Sequence, residues 1–532
     1  DLHLSLRRQR QMCIRDRLKD HLKTNLKEKD LLEHLTNIGL EVESVENISG
    51  SIESLNNAYI SQGIINLGTN ITVTDVVSTA TDINLLDNLC TGIIDATSIE
   101  TLTGSSASVN TIYDSAVTTE DDDGISNLGN EVVILSDSSI DSSTLSSIAT
   151  ASTGKIHVDE LIQIKGTTDS INDLYDLYTH IQDLGNESIT ITDNLINSTS
   201  LETLDGNTTG LINAESLYTI EGDLQGLNNL YSSTQISGLN NENVILTDVT
   251  ILPTIDVPTF DTSLLNSLDD YTSGLINTNT VKTISGFLSD LINSYESTGI
   301  INLGDENIIL RDEGTVSATE LTKLASLNNS GTIDATTIDN ITGTALEIIA
   351  VYTDSTITEP QNVNLTVDSG TVSVSQSRFL NSSTNGIVTG TITLGTTVSE
   401  MLDENTGLTE TANAYTITIS SADEEVTAEN LTALYSKTSV EVDATAVTQI
   451  TGTVEEVNIV YAAGSSEITG LGNETVVTTE STLADVTSLN TLDENTIGTV
   501  NAASIESITG SLSDLLIAYG SNGITGLGNE AI

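Results

Sequence analysis

Five pairs of acidic residues recur six positions apart: Glu131 and Asp137, Glu187 and Asp193, Glu242 and Asp248, Glu306 and Asp312, and Glu474 and Glu480. Carboxylates at turns, beside backbone carbonyls, are what a hard cation collects, because Ca2+ takes six to eight oxygen ligands. The pairs are therefore candidate Ca2+ ligands. They read equally as turn and helix-cap residues, since a carboxylate next to a helix start accepts backbone N–H bonds without any metal. The G-G-x-G-x-D nonapeptide of calcium-binding β-helices is absent. Between the members of a pair lies a short alternating run, such as Ile189 and Ile191 or Ile308 and Leu310, which predicts a strand.

Other chemistry finds few reactive groups. After residue 50 the only histidines are His157 and His180, and no HExxH, GxSxG, Walker A or paired CxxC spacing occurs, so no enzymatic activity is expected. Gly526-Leu527-Gly528-Asn529-Glu530-Ala531 fits a loose dinucleotide fingerprint, but it is a repeat landmark without a Rossmann unit around it, and no organic cofactor is expected. Cys90 is the single thiol beyond Cys13, so the long region holds no disulfide of its own. Against 16 Lys+Arg stand 76 Asp+Glu, a net charge of −60 over 532 residues. Such a charge repels phosphates and anionic lipid, which excludes nucleic-acid partners and offers no basis for membrane insertion. It suits a salty medium, where the screening length falls to about 4–5 Å.

The elements that hold these residues repeat. A glycine, usually ending an Ile/Leu-x-Gly string, is followed nine positions later by tyrosine: Gly50 and Tyr59, Gly104 and Tyr113, Gly166 and Tyr175, Gly222 and Tyr231, Gly286 and Tyr295, Gly343 and Tyr352, Gly452 and Tyr461, Gly510 and Tyr519. Gly395 has Glu404 in place of the tyrosine. The mean spacing is 57.5 residues. Within a copy, Val454, Val457 and Tyr461 mark one helical face and Val486, Leu489 and Leu492 another, with an extended run after the turn-rich string 468–474 and a second strand at 498–502. Each copy is thus two strand-plus-short-helix units. One unit cannot bury its apolar face alone, whereas stacked neighbours share a core. The expected fold is an α/β repeat protein, a solenoid with parallel strands, with a β-helix or beads of small α/β domains as alternatives. The tyrosine ring is expected to pack on the neighbouring coil with its hydroxyl at the surface.

Organisation follows from the copies. Residues 51–395 form a repeat array, 396–425 a degenerate or inserted segment in which Tyr415-Thr416-Ile417-Thr418-Ile419 suggests a hairpin, and 426–532 the continuing array. The chain stops in mid-copy, as expected of a fragment. Residues 1–50 are different material: they carry no net charge and three of the five histidines. Gln11-Met12-Cys13-Ile14-Arg15-Asp16-Arg17 resembles a translated sequencing adapter of metagenomic libraries, so 1–17 reads as an artefact. Residues 18–46, from Leu18-Lys19-Asp20-His21-Leu22 to Gly39-Leu40-Glu41-Val42-Glu43-Ser44-Val45-Glu46, resemble the extreme N-terminus of the phenylalanyl-tRNA synthetase β subunit, which makes 18–50 a foreign, short helical fragment that carries no synthetase activity to the rest.

The region 51–532, with strings such as Gly523-Ile524-Thr525-Gly526-Leu527-Gly528-Asn529-Glu530 and Thr91-Gly92-Ile93-Ile94-Asp95-Ala96, resembles the giant acidic repetitive surface or secreted proteins of marine bacteria. That resemblance implies an extracellular or cell-surface stalk, or an adhesin module with calcium-stiffened repeats whose partners are glycans or neighbouring surface proteins.

Overall fold

The computed structural model describes residues 48–61, 70–116, 123–247, 261–358, 361–409, 412–483 and 485–532. The readings of 1–17 and of 18–47, and Asp248, lie outside these residues. The chain forms two compact units, Asp1–Tyr218 with Ser233–Leu239, and Thr219–Ser232 with Asn240–Ile532. Each is an α/β repeat of short parallel strands alternating with short helices.

One copy shows the order of elements. The helix Thr168–Leu177 is followed by the strands Ile181–Gln182, Ser188–Ile191 and Leu195–Asn197, the helix Ser198–Asn207 and the strand Ile212–Asn213. In the same unit Ile140, Ile164, Ile189, Ile212 and Ile236 pair in turn, each 23–25 residues beyond the last. Half a repeat is about 29 residues, so successive partners come from progressively earlier points of the repeat. A sheet therefore runs about five strands before the drift carries it off strand-forming sequence, and a new sheet begins beside it. In the other unit the strands Glu425–Thr427, Gln449–Gly452, Thr475–Thr478, Val500–Asn501 and Ile524–Thr525 form such a five-stranded sheet. Every strand pairing described is parallel, and pairing from copy to copy within each unit excludes separate beads there.

Helices form despite their Ser, Thr and Asn content because their ends are capped and one face is apolar. Ser51, Ser105, Thr167, Thr427 and Ser511 accept the N3 amide at the N-cap, and Thr344, Ser373, Thr397 and Thr453 make full capping boxes with Glu347, Gln376, Glu400 and Glu456. Positions 1, 4 and 7 turn inward, as Thr262, Leu265 and Leu268 or Val486, Leu489 and Leu492 do. Opposite them lie the strand isoleucines, of which Ile156, Ile164, Ile212 and Ile276 are fully buried. The landmark glycine is required by close approach: a Cβ at Gly104, Gly343 or Gly452 would press on the first residue of the preceding helix, Ala80, Ala318 or Ala428.

Residues 396–425 correct one expectation. The strand Ala414–Thr418 forms no hairpin; it lies in the array between Val388–Thr391 and Val442–Asp443, parallel to both. The degeneracy is in the helix, Val398–Leu402, shortened to five residues. No helix among the described residues is long and apolar enough to cross a membrane.

Candidate functional site

The recurring acids and the recurring tyrosines meet. Glu242 immediately precedes the strand Asn243–Leu246 and is fully buried; Tyr231, in the helix Leu224–Ser232, donates its hydroxyl to Glu242 Oε2 at 3.1 Å. The amides of Asn240 and Asn241 donate to the same carboxylate, each at 3.2 Å. The arrangement recurs at Tyr175 and Glu187 (3.0 Å), Tyr295 and Glu306 (2.9 Å), Tyr461 and Glu474 (2.8 Å), and Tyr113 and Glu131, with these glutamates no more than 2% exposed. Tyr519 and Glu530 repeat it at 2.6 Å at an exposed position.

The Gly-Leu-Gly-Asn-Glu string explains how the chain folds this way. Gly472 and Gly528, both at positive φ, turn the backbone so that their amides point at Glu474 and Glu530, two residues on. A concavity of backbone amides is an anion site. Here the anion it receives is the chain's own carboxylate, as at Gly185 with Glu187 and at Gly304 with Glu306. Burial of a carboxylate costs several kcal/mol unless hydrogen bonds meet it, and the amides and the tyrosine supply them.

A third element locks the backbone of the same glutamate. Thr272 Oγ1 donates to the Glu242 carbonyl at 2.8 Å, Thr496 Oγ1 to that of Glu474 at 2.9 Å and Asn328 Nδ2 to that of Glu306 at 2.9 Å. Each follows the second helix of its copy, and the glycine just beyond, Gly274, Gly498 or Gly331, lies so close to the glutamate carbonyl that a Cβ would overlap it. One junction therefore ties the first helix, the strand after it and the end of the second helix.

Electrostatics runs one way. Burial, and next the negative charge of its glutamate, push the hydroxyls of Tyr175, Tyr231, Tyr295 and Tyr461 well above the ordinary tyrosine range. Burial and then the hydrogen bond to Glu131 do the same at Tyr113. The expectation of surface hydroxyls is thus corrected: the tyrosine turns its oxygen inward because a buried carboxylate needs a donor.

Among the described residues, the second acid of a pair has a different partner. Asp137 Oδ2 accepts the amide of Ser106 at 2.5 Å, Asp193 that of Thr168 at 2.8 Å, Asp312 that of Leu288 at 2.7 Å, and Glu480 that of Val454 at 2.7 Å. Each acceptor sits on the following coil and each donor is the first residue of a helix, so the acid caps an orphan N–H and faces the positive end of the helix dipole. Asp75 and Asp423 do the same for Ile52 and Val398. In the four pairs of which both members are described, the two acids stand at opposite ends of a strand, up to about 20 Å apart at ~3.3 Å per residue. The structure does not bring them together around one ion.

Departures from the pattern are coherent. In the copy where Glu404 replaces the tyrosine, Tyr415 occupies the glutamate's place in the register and donates to the Ser377 carbonyl at 3.3 Å. Val363 takes the glutamate's place in the preceding copy, with the threonine lock from Thr384 retained. In the first copy that place in the register falls on Thr69, outside the described residues, and Tyr59 donates to Cys90 Sγ at 3.4 Å.

One device was not anticipated. Asn84, Asn172, Asn266, Asn458 and Asn490, each fifth in its helix, donate Nδ2 to the third-residue carbonyl of the next helix, at Ser108, Ser200, Asp290, Ser488 and Asp514, within 2.8–3.0 Å. The readable signal was an apolar-Asn dipeptide at constant register, as in Ile83-Asn84, Ile171-Asn172 and Leu265-Asn266.

No protein-family description and no curated protein sequence matches the chain.

Proposed function

We propose that the array is a non-enzymatic scaffold or stalk of a large acidic extracellular or cell-surface bacterial protein. The observation that carries this reading is that, in the copies that carry the tyrosine–glutamate pair, the tyrosine hydroxyl and the described paired acids are engaged in joining helix, strand and coil. A group held by two backbone amides and a phenol below the surface has no open face for a substrate. The same inward tyrosines favour the scaffold over a glycan-binding adhesin, whose sugar-stacking rings would have to face solvent. The surface acidity suits a secreted protein in a salty medium, with Ca2+ and Mg2+ acting by screening rather than at ordered sites.

A scaffold built by repetition tolerates loss of one period. Excising Thr453–Gly510 joins Gly452 to Ser511, each a landmark glycine followed by a helix N-cap at the same point of the repeat. The shortened chain is expected to keep its circular dichroism per residue and a cooperative melt. Loss of folded signal on excision would sink the scaffold reading.

A further inference from the structure

One copy departs from its sisters on the exposed edge beside the short strands. In the first described copy Asn127 Nδ2 donates to Asp95 Oδ1 at 2.9 Å, and in a later one Asn302 Nδ2 donates to Asn277 Oδ1 at 2.8 Å. Asp95 also receives the amide and hydroxyl of Thr97, two residues on. These pairs are complete, with donors matched to oxygens.

At one of the two equivalent places between them all three positions change. His157 ends the strand Ile156–His157 where Asp95 and Asn277 stand, Asp183 follows the parallel strand Ile181–Gln182 where Asn127 and Asn302 stand, and Asp159 takes the place of Thr97. Amide and hydroxyl donors are thereby replaced with one imidazole and two carboxylates. His157 Nδ1 lies 3.3 Å from Asp183 Oδ2, and a ligand atom from each of His157, Asp159 and Asp183 lies within 4.8 Å of the others. The two carboxylates lie together with the imidazole at a partly exposed edge. Two carboxylates gathered beside an imidazole nitrogen are a donor set that a cation can bridge.

We propose that His157, Asp159 and Asp183 bind a divalent first-row transition ion of the Zn2+ class across two successive coils. The imidazole selects against Ca2+ and Mg2+, which prefer all-oxygen shells, and water completes the coordination. Zn–N and Zn–O bonds of about 2.0–2.2 Å place neighbouring ligands about 3.4 Å apart, so a small rotation of these exposed side chains closes the site.

The test is calorimetric titration of the full chain with Zn2+, with Mg2+ and Ca2+ as controls, against His157→Asn and Asp159→Thr. Each substitution installs the residue a sister copy carries, Asn277 or Thr97, so the fold is expected to persist, and circular dichroism checks it; Asp183→Asn serves if either fails. Because His3, His21, His34 and Cys13 offer further ligands, the difference between parent and variants is the readout. One equivalent of Zn2+ is expected to be lost, or weakened at least about tenfold, in each variant. Identical isotherms for parent and variants, or displacement of Zn2+ by an equal concentration of Ca2+, would overturn the proposal.

Discussion

Glu242→Gln is expected to destabilise its copy by about 2–3 kcal/mol, because the new amide presents N–H groups to a site built from donors. The Tyr231 hydroxyl and the Asn240 and Asn241 amides all point at this carboxylate, so whichever way the glutamine turns, at least one buried donor loses its acceptor. Tyr231→Phe removes one donor and leaves the two amides in place, and should cost about 1–2 kcal/mol. The pair shares one network, so the double substitution should cost less than the two singles added. Stability in a repeat array is local, and hydrogen exchange in the helix Leu224–Ser232 and the strand Asn243–Leu246 is therefore the appropriate measurement. Loss of protection confined to these elements supports the junction; unchanged exchange in Glu242→Gln would mean that the carboxylate contributes nothing to the fold.

Alkaline pH should unfold the array steeply. Unfolded tyrosines ionise near pH 10, whereas burial and the adjacent glutamates hold Tyr113, Tyr175, Tyr231, Tyr295 and Tyr461 protonated well beyond that, and burial alone does so for Tyr415. The folded state then binds more protons than the unfolded state above pH 10. Stability is accordingly complete below pH 10 and is lost as pH rises toward the folded-state values. Each blocked tyrosine contributes a slope of up to about 1.4 kcal/mol per pH unit, so several unfolding together give a sharp transition. Tyrosinate absorbance should appear together with loss of the helical signal, and Tyr231→Phe should make the transition shallower. Smooth ionisation of these tyrosines near pH 10 with the helices intact would contradict the inward orientation.

Much of the architecture was legible because it rests on periodic, local signals. The Gly-to-Tyr spacing marked the copies, and the faces of Val454 and Val457 and of Val486, Leu489 and Leu492 placed two helices correctly. The strands Ile468–Thr469 and Thr482–Leu483 are two residues long, too short for alternation to show, and the first was hidden in a string that reads as a turn. The hairpin reading of Tyr415–Ile419 failed because a parallel strand buried between neighbours alternates just as a hairpin strand does.

At the site, residue types were visible and partners were not. Six-residue spacing suggested that Glu306 and Asp312 act together, yet a strand separates their side chains and they serve opposite ends of one helix, Leu288–Glu296: Glu306 accepts from Tyr295 near its end and Asp312 from Leu288 at its start. The capping reading of the second acid was sound in kind. What spacing could not reveal is that its helix lies on the preceding coil, about 25 residues back in the chain. The glutamate's role depends on amides brought round by a positive-φ glycine, a conformation that composition does not disclose.

The central claim is that the repeated acids tie the array together from within and need no calcium to do so. The most direct measurement is the melting temperature of the full chain, followed by circular dichroism, in millimolar Ca2+ and in the same concentrations of Mg2+. Both ions are expected to raise it by the same small amount, an effect that disappears when added sodium chloride already screens the surface. A rise in Ca2+ alone, continuing with concentration as ligand linkage requires, would contradict the account and return the acid pairs to the role of calcium ligands.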